Sequence, residues 1–290
     1  KIPLAAPYII AKEKGFFEKN GLDVKVNYFL TGLETLQALT AYQVDFASTG
    51  ATPFVHLSFQ RDDVRVISQV TLADDFQIIA RKDAGITEVA DIKGKKIGSV
   101  KGTVTMIAIR DALKAAGLSE ADYSFVEFNQ PLPLPNLLLS NEIQAYAAWE
   151  PHISNGIKAV GVDKIVVFGA DKGLHPLPYF SLMRVADLAD GEKIRTADKF
   201  NKSLLEAIEY IKGEEGESIK TVAAVVGMDE TLLKSIWHKY DFSLSLKKSL
   251  LNELNSEHEW FKGDNIKVVN YMDLIDTRSL KKINPKEVEL

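Results

Sequence analysis

From Leu22 to Tyr28 the chain alternates apolar and polar residues with period 2 (Leu22-Asp23-Val24-Lys25-Val26-Asn27-Tyr28), the pattern of a half-buried strand. Ahead of it, Pro7 to Gly15 reads as a short helix, with proline in the first turn and glycine placed to stop it. Thr31 and Glu34 stand at capping-box spacing for a helix whose Leu33, Leu36 and Leu39 share a side. Val44 to Ala47 predicts a short strand, Ser48-Thr49-Gly50-Ala51-Thr52-Pro53 leads into another helix, and Val64 to Val70 is strand again. The order then repeats. Phe76–Ala80, Lys95–Val100, Tyr123–Phe128, Ala145–Trp149 and Lys164–Phe168 are expected strands. Between them lie helices over Val104–Ala116, capped by Thr103 and stopped by Gly117, and over Leu134–Asn141 and Pro151–Val160. Such alternation predicts α/β layers on parallel sheets. From Thr196 onward the spacing of Phe200, Leu204, Ile208 and Ile211 is helical, so the tail is expected to cap the fold rather than extend a sheet.

Composition narrows this picture. At 290 residues and 46% apolar the chain has length and core material for two domains. Its 40 acidic and 35 basic residues, net charge -5, exclude a general phosphate-backbone partner, so no nucleic acid is expected. Residues 81–180 hold 11 basic and 11 acidic residues, so an anion bound there must be held mainly by backbone dipoles. There is no cysteine, hence no disulfide, thiolate metal site or cysteine nucleophile. The longest uncharged stretch, Phe46–Gln60, is too short and too broken by Gly50 and Pro53 to span a membrane. With no signal peptide ahead of Lys1, the chain reads as a cytosolic protein or a processed export product.

The sequence contains no G-x-S-x-G, H-E-x-x-H, Walker A or G-x-G-x-x-G pattern, and its five histidines form no pair at helical spacing. Lys93, Lys95, Lys96 and Lys101 flank a strand and read as its solvated ends. Three glycine-containing turns follow strands and open helices: Thr31-Gly32, Thr49-Gly50-Ala51-Thr52 and Gly102-Thr103-Val104. Free N–H groups at a helix start favour an anion, and small residues let it approach. Gln130 sits on a stiff loop before Pro131, Pro133 and Pro135; Trp149 and Glu150 end a strand at Pro151; His175 completes the set. Asp74-Asp75 reads as a solvated turn.

The run Ala11-Lys12-Glu13-Lys14-Gly15-Phe16-Phe17-Glu18-Lys19-Asn20-Gly21-Leu22-Asp23-Val24 resembles the opening of ABC-transporter substrate-binding proteins of the nitrate, sulfonate and taurine type, a group that includes thiamine-pyrimidine-synthesis-like proteins. Asp45–Gly50, Asp91–Gly98, Lys101-Gly102-Thr103, Asn129-Gln130-Pro131 and Ala148-Trp149-Glu150-Pro151 continue the resemblance in the family's order. It implies a type II periplasmic-binding-protein fold: two α/β lobes joined by a two-strand hinge, with a helical C-terminal region. Lobe 1 would be 1–77 with 184–290 and lobe 2 would be 78–183, with crossings near Phe76–Ala80 and Tyr179–Val185. Ligand would be held by Thr49–Thr52 and Gly102–Val104, with Gln130; Pro7, Tyr8, Thr31, Gly32, Trp149, Glu150 and His175 complete the expected site. The family also carries a strand ahead of the loop holding Pro7, where this sequence has Lys1-Ile2-Pro3. Taurine-type members place an acid where this chain has Ala5-Ala6, which points away from an amino-sulfonate.

The expected function is therefore a non-enzymatic, monomeric, extracytoplasmic receptor, free or lipid-anchored, needing no cofactor or metal. It would pass a small anion, an organic sulfonate first and nitrate or a related anion next, to an ABC permease. Alternatives are a ligand-sensing domain and a thiamine-precursor pyrimidine receptor in which Trp149 and Tyr179 stack on the ring and Glu150 accepts from an amino group. Enzymatic relatives of desulfinase or pyrimidine-synthase type centre on a cysteine that this chain lacks.

Overall fold

The computed structural model describes residues 1–169, 175–261 and 267–290. The chain forms two compact units, one from Lys1–Ala73 with Leu177–Leu290 and the other from Asp74–Pro176.

In the first unit, helices α1 (Ala6–Glu13) and α2 (Phe16–Lys19) are separated by Gly15, whose φ of 76° is the left-handed stop that glycine tolerates. Then come α3 (Gly32–Thr40), β1 (Ala47–Gly50), α4 (Ala51–Ser58) and β2 (Val64–Ala73). The second unit runs β3 (Gln77–Arg81), β4 (Lys96–Val100), α5 (Val104–Ala115), β5 (Ser124–Phe128), α6 (Leu134–Leu139), β6 (Ala145–Ala148), α7 (His152–Val160) and β7 (Ile165–Phe168). The chain re-enters the first unit with β8 (Leu177–Arg184), α8 (Val185–Leu188) and the long α9 (Gly191–Gly213). It finishes with α10 (Glu215–Val226), α11 (Glu230–Ile236), β9 (Tyr240–Ser245), α12 (Lys248–Trp260) and α13 (Arg278–Ile283).

The second unit's sheet has the order β5-β4-β6-β3-β7; β4 runs parallel to β5 and β6, while β3 is antiparallel to β6 and β7. Ile79, Leu134, Leu138, Ile143, Tyr146 and Ile153 fill its core between sheet and helices. The first unit's sheet, β1-β8-β2-β9, is antiparallel in every pair, which corrects the expectation of parallel sheets. Its strands come from distant parts of the chain, so no local helix crossover sets their direction. On α9 the residues Phe200, Leu204, Ile208 and Ile211 are buried as their spacing predicts.

Three further expectations change. Leu22–Tyr28 is not a strand: among the described residues it pairs with no strand of either sheet, and alternation alone cannot supply the partner. The strand expected at Val44–Ala47 forms three residues later, as β1, where β8 offers the pairing Ala47 to Leu182 through Gly50 to Tyr179. The tail does extend a sheet, because Tyr240, Phe242 and Leu244 alternate inward in β9 and its Asp241 and Phe242 pair with Leu72 and Thr71 of β2.

The unit boundaries fall at 73/74 and 176/177, before the crossings expected within Phe76–Ala80 and Tyr179–Val185. Strand β3 belongs wholly to the second sheet and β8 wholly to the first, so the crossings lie in the segments that precede them. Arg184, at the end of β8, fastens the first unit locally: it donates to Leu39 O (2.7 Å) and Val44 O (2.5 Å) and pairs with the buried Asp187 at 2.5 Å.

Candidate functional site

In the first unit, two helix starts meet. Thr31 caps α3, accepting from the Glu34 amide at 3.4 Å, and Glu34 reaches back to the Leu30 amide at 2.8 Å, so the capping exchange forms one residue earlier than the simple box. Gly32, the first residue of α3, lies against Thr49: a Cβ there would stand 2.0 Å from Thr49 Oγ1 and 3.1 Å from Pro53 Cγ. Only glycine fits. Thr49 is fully buried, and its hydroxyl has no hydrogen-bond partner among the described residues. Gly50 then caps α4 with its backbone, and Ala51 and Thr52 form a buried first turn. Thr31, Gly32 and Thr49–Thr52 are thus brought together: a buried hydroxyl without a partner among the described residues, beside two helix starts whose dipoles favour an anion.

Pro7 and Tyr8 lie in α1, but Pro7 is buried and the Tyr8 hydroxyl is already bonded to Ser181 Oγ at 2.7 Å. Tyr8 also borders a cavity of about 650 Å³ in this unit, between the extended stretch 22–29 and residues 43–48, with Phe17 and Phe200 contributing to its lining. The other expected residues are not among those that line it.

In the second unit, Gly102 (φ 70°) turns the chain from β4 into α5. Thr103 caps that helix, accepting from the Thr105 amide and donating to Val100 O at 2.8 Å, while Thr105 Oγ1 accepts from the Val100 amide at 3.0 Å. One turn back, the fully buried Ser99 hydroxyl has no partner among the described residues. Sequence reasoning missed Ser99; its one signal was a small polar residue inside an apolar strand.

Gln130 stands half-exposed in the turn after β5. Trp149 follows β6 half-buried, edge-on to His152 at 5.9 Å. Glu150 is buried, and its carboxylate accepts from the Ser154 amide (3.1 Å) and hydroxyl (2.8 Å), closing the first turn of α7. His175 lies half-buried just before the chain crosses into β8. Asp75 is 1% exposed rather than solvated, because it leads directly into the buried strand β3. Of the four lysines, Lys93, Lys96 and Lys101 are exposed as expected of solvated strand ends; Lys93 pairs with Asp122 at 3.0 Å, and the half-buried Lys95 donates to Ala84 O at 2.8 Å. Hydrogen bonds from the Ser119 amide and hydroxyl, with Lys93 beside it, hold Asp122 down to about 2.

A family model described as NMT1/THI5 like matches residues 3–214. The chain belongs to that family. Within reach of this NMT1/THI5-like chain is a Bacillus subtilis (strain 168) protein, named provisionally as an aliphatic sulfonates-binding protein. It is 31% identical over 214 residues, which is 71% of this chain and 63% of that protein. The match therefore spans less than two thirds of the relative's length. Among solved structures, the alkanesulfonate-binding protein SsuA from Xanthomonas axonopodis pv. citri, bound to MOPS, aligns at TM-score 0.72 and 20% identity, covering 88% of each chain. The desulfurization enzyme DSZB aligns at TM-score 0.73 and 11% identity, covering 99% of this chain and 97% of that one. Both likenesses show the fold, which is periplasmic-binding-protein-like.

Proposed function

We propose that this chain is the solute-binding component of an ABC-type importer, acting outside the cytoplasm, which captures a small anion and presents it to a membrane permease. An organic sulfonate is the preferred ligand. The observation that carries the reading is the Thr49 hydroxyl, fully buried and unbonded among the described residues, held against the first turn of α3 at Gly32. A sulfonate oxygen there would accept from that hydroxyl and from helix-start amides without needing a lysine or arginine. The second unit repeats the device with the start of α5 and the Ser99 hydroxyl, and the family resemblance implies capture by hinge closure. The names of the Bacillus and Xanthomonas proteins support the sulfonate class.

We read the chain as a binder rather than an enzyme, since the helix starts offer donors but no nucleophile with a base. The pyrimidine reading has less support, because Glu150 is buried and both its carboxylate oxygens already accept from Ser154. Titration calorimetry with butanesulfonate, nitrate, sulfate and a hydroxymethylpyrimidine tests the assignment. Butanesulfonate should bind, and Gly32→Ala should weaken it at least about tenfold by displacing Thr49. Small-angle scattering should show a more compact bound form. Binding of the pyrimidine alone would replace the sulfonate reading, and recovery of a chemically altered ligand would replace the receptor reading.

A further inference from the structure

Strand β1 carries Thr49 and ends at the start of α4, yet it is only four residues long, its one ladder partner is β8, and α3 reaches it through the Thr35 hydroxyl, which donates to Ser48 O at 3.0 Å. So short an edge strand needs more than its ladder to hold a side chain in place. Tyr179 supplies an additional tie. Its backbone pairs with Gly50, and its side chain runs diagonally along β1 to place the hydroxyl 3.0 Å from Ser48 Oγ and 3.5 Å from Ser48 O.

Tyr179 is backed in turn. Its ring meets Tyr8 edge-on at 6.1 Å, and the Tyr8 hydroxyl lies 2.7 Å from Ser181 Oγ. Ser181 Oγ is 3.2 Å from Ser68 Oγ, Ser68 donates to Asn201 Oδ1 at 2.8 Å, and Asn201 donates through Nδ2 to Ser279 Oγ at 3.0 Å. Ser68, Ser181 and Asn201 are fully buried. Asn201 Oδ1 can only accept, so the single Ser68 proton is shared between it and the more distant Ser181 Oγ, while between Tyr8 and Ser181 either hydroxyl can donate. Burial pushes the Tyr8 and Tyr179 phenols up, which keeps both protonated.

We propose that Tyr179 is a positioning residue for the anion-binding end of the first unit, clamping Ser48 so that the Thr49 hydroxyl stays at the first turn of α3. The relay from Tyr8 to Asn201 fixes the position from which Tyr179 acts. The proposal rests on the reading of this end as the anion site, and its test separates the two.

The first measurement needs no ligand: amide hydrogen exchange over Thr49–Thr52 in the wild type and in Tyr179→Phe, which keeps the ring and its contact with Tyr8. Loss of the clamp should speed exchange there about tenfold, the scale of one hydrogen bond. Unaltered exchange overturns the proposal, even if overall stability falls, because it makes Tyr179 merely structural. The second is a double-mutant cycle with butanesulfonate. Tyr179→Phe and Thr49→Val should each weaken binding about tenfold, and the double variant no further, because Tyr179 acts through Thr49. Losses that multiply to about a hundredfold overturn it, as independent contributions would. A wild type that does not take butanesulfonate counts against the sulfonate reading alone, and the exchange experiment then decides the clamp.

Discussion

Two threonines at helix starts have opposite roles. The Thr103 hydroxyl donates to Val100 O and accepts from the Thr105 amide, so its capacity is spent on the cap. Thr103→Val should cost about 1 kcal/mol of stability, the usual worth of an N-cap, when measured by urea unfolding. Thr49 spends none of its hydroxyl within the described residues, so Thr49→Val should leave stability within about 0.5 kcal/mol and affect ligand binding instead. Equal stability losses in the two variants would contradict this division. His152 gives a pH signature. Burial brings its pKa from 6.5 to about 4, and its place at the first position of α7 sets the helix dipole against a positive charge. The unfolded chain takes up this proton as pH falls through 6.5, while the folded chain resists until about 4. The residue's contribution is therefore fully present above 6.5 and is lost on the way down to 4, by about 2 kcal/mol once its partial exposure is allowed for. Unfolding titrations of His152→Gln should lose that part of the slope, and a slope identical to wild type would rule the histidine out.

Between elements, the tightest constraint in the second unit lies where α7 meets the sheet. A Cβ on Gly156 would stand 2.1 Å from the Tyr146 hydroxyl oxygen and 2.5 Å from Ile79 Cδ1, and both side chains are fully buried. Alanine brings about 1 kcal/mol of helix propensity, against overpacking that costs about 1–3 kcal/mol, so Gly156→Ala should destabilise. Tyr146→Phe loses the 2.6 Å bond to His152 O but also removes the obstructing atom, so the double variant should cost less than the sum of the two. Strictly additive costs in chemical denaturation would show that the hydroxyl is not the obstacle. The same division between local and distant partners explains what was legible beforehand. The starts of α3 and α5 were readable because Thr31, Glu34, Thr103 and Gly102 act on neighbours within a turn. Strand β1 was misplaced because Ser48-Thr49-Gly50 has the composition of a turn and is made extended by β8, 131 residues away between Ser48 and Tyr179. Likewise β9 was hidden among helices because its partner β2 lies far up the chain, and Leu22–Tyr28 has a strand's pattern but, among the described residues, pairs with no strand. Of the site, the small residues at helix starts were visible in sequence; Ser99, and the tie from Tyr179 to Ser48, arise from burial and register and were not.

On the scale of the whole molecule, the question is whether charge or dipole holds an anion. The chain carries a net charge of -5, so its long-range field does not draw an anion in. None of the residues placed at the helix starts is a lysine or arginine, and Lys93 and Lys95 are engaged with Asp122 and Ala84 O. What remains is short-ranged: buried hydroxyls, and N–H groups whose dipole effect falls off within the first turn, each helix start contributing about 0.3–2 kcal/mol. Mobile ions at about 0.15 M screen over roughly 8 Å, a distance that matters for exposed charges and little for a donor in contact with its acceptor. Affinity for butanesulfonate should therefore change by less than about threefold between low and high salt, with any weak trend in on-rate running upward as the repulsive field is screened. Calorimetry at about 20 and 500 mM sodium chloride decides it. A loss of thirtyfold or more, of the size roughly expected if exposed lysines such as Lys101 carried the binding, would move the anion away from the helix starts and onto the surface.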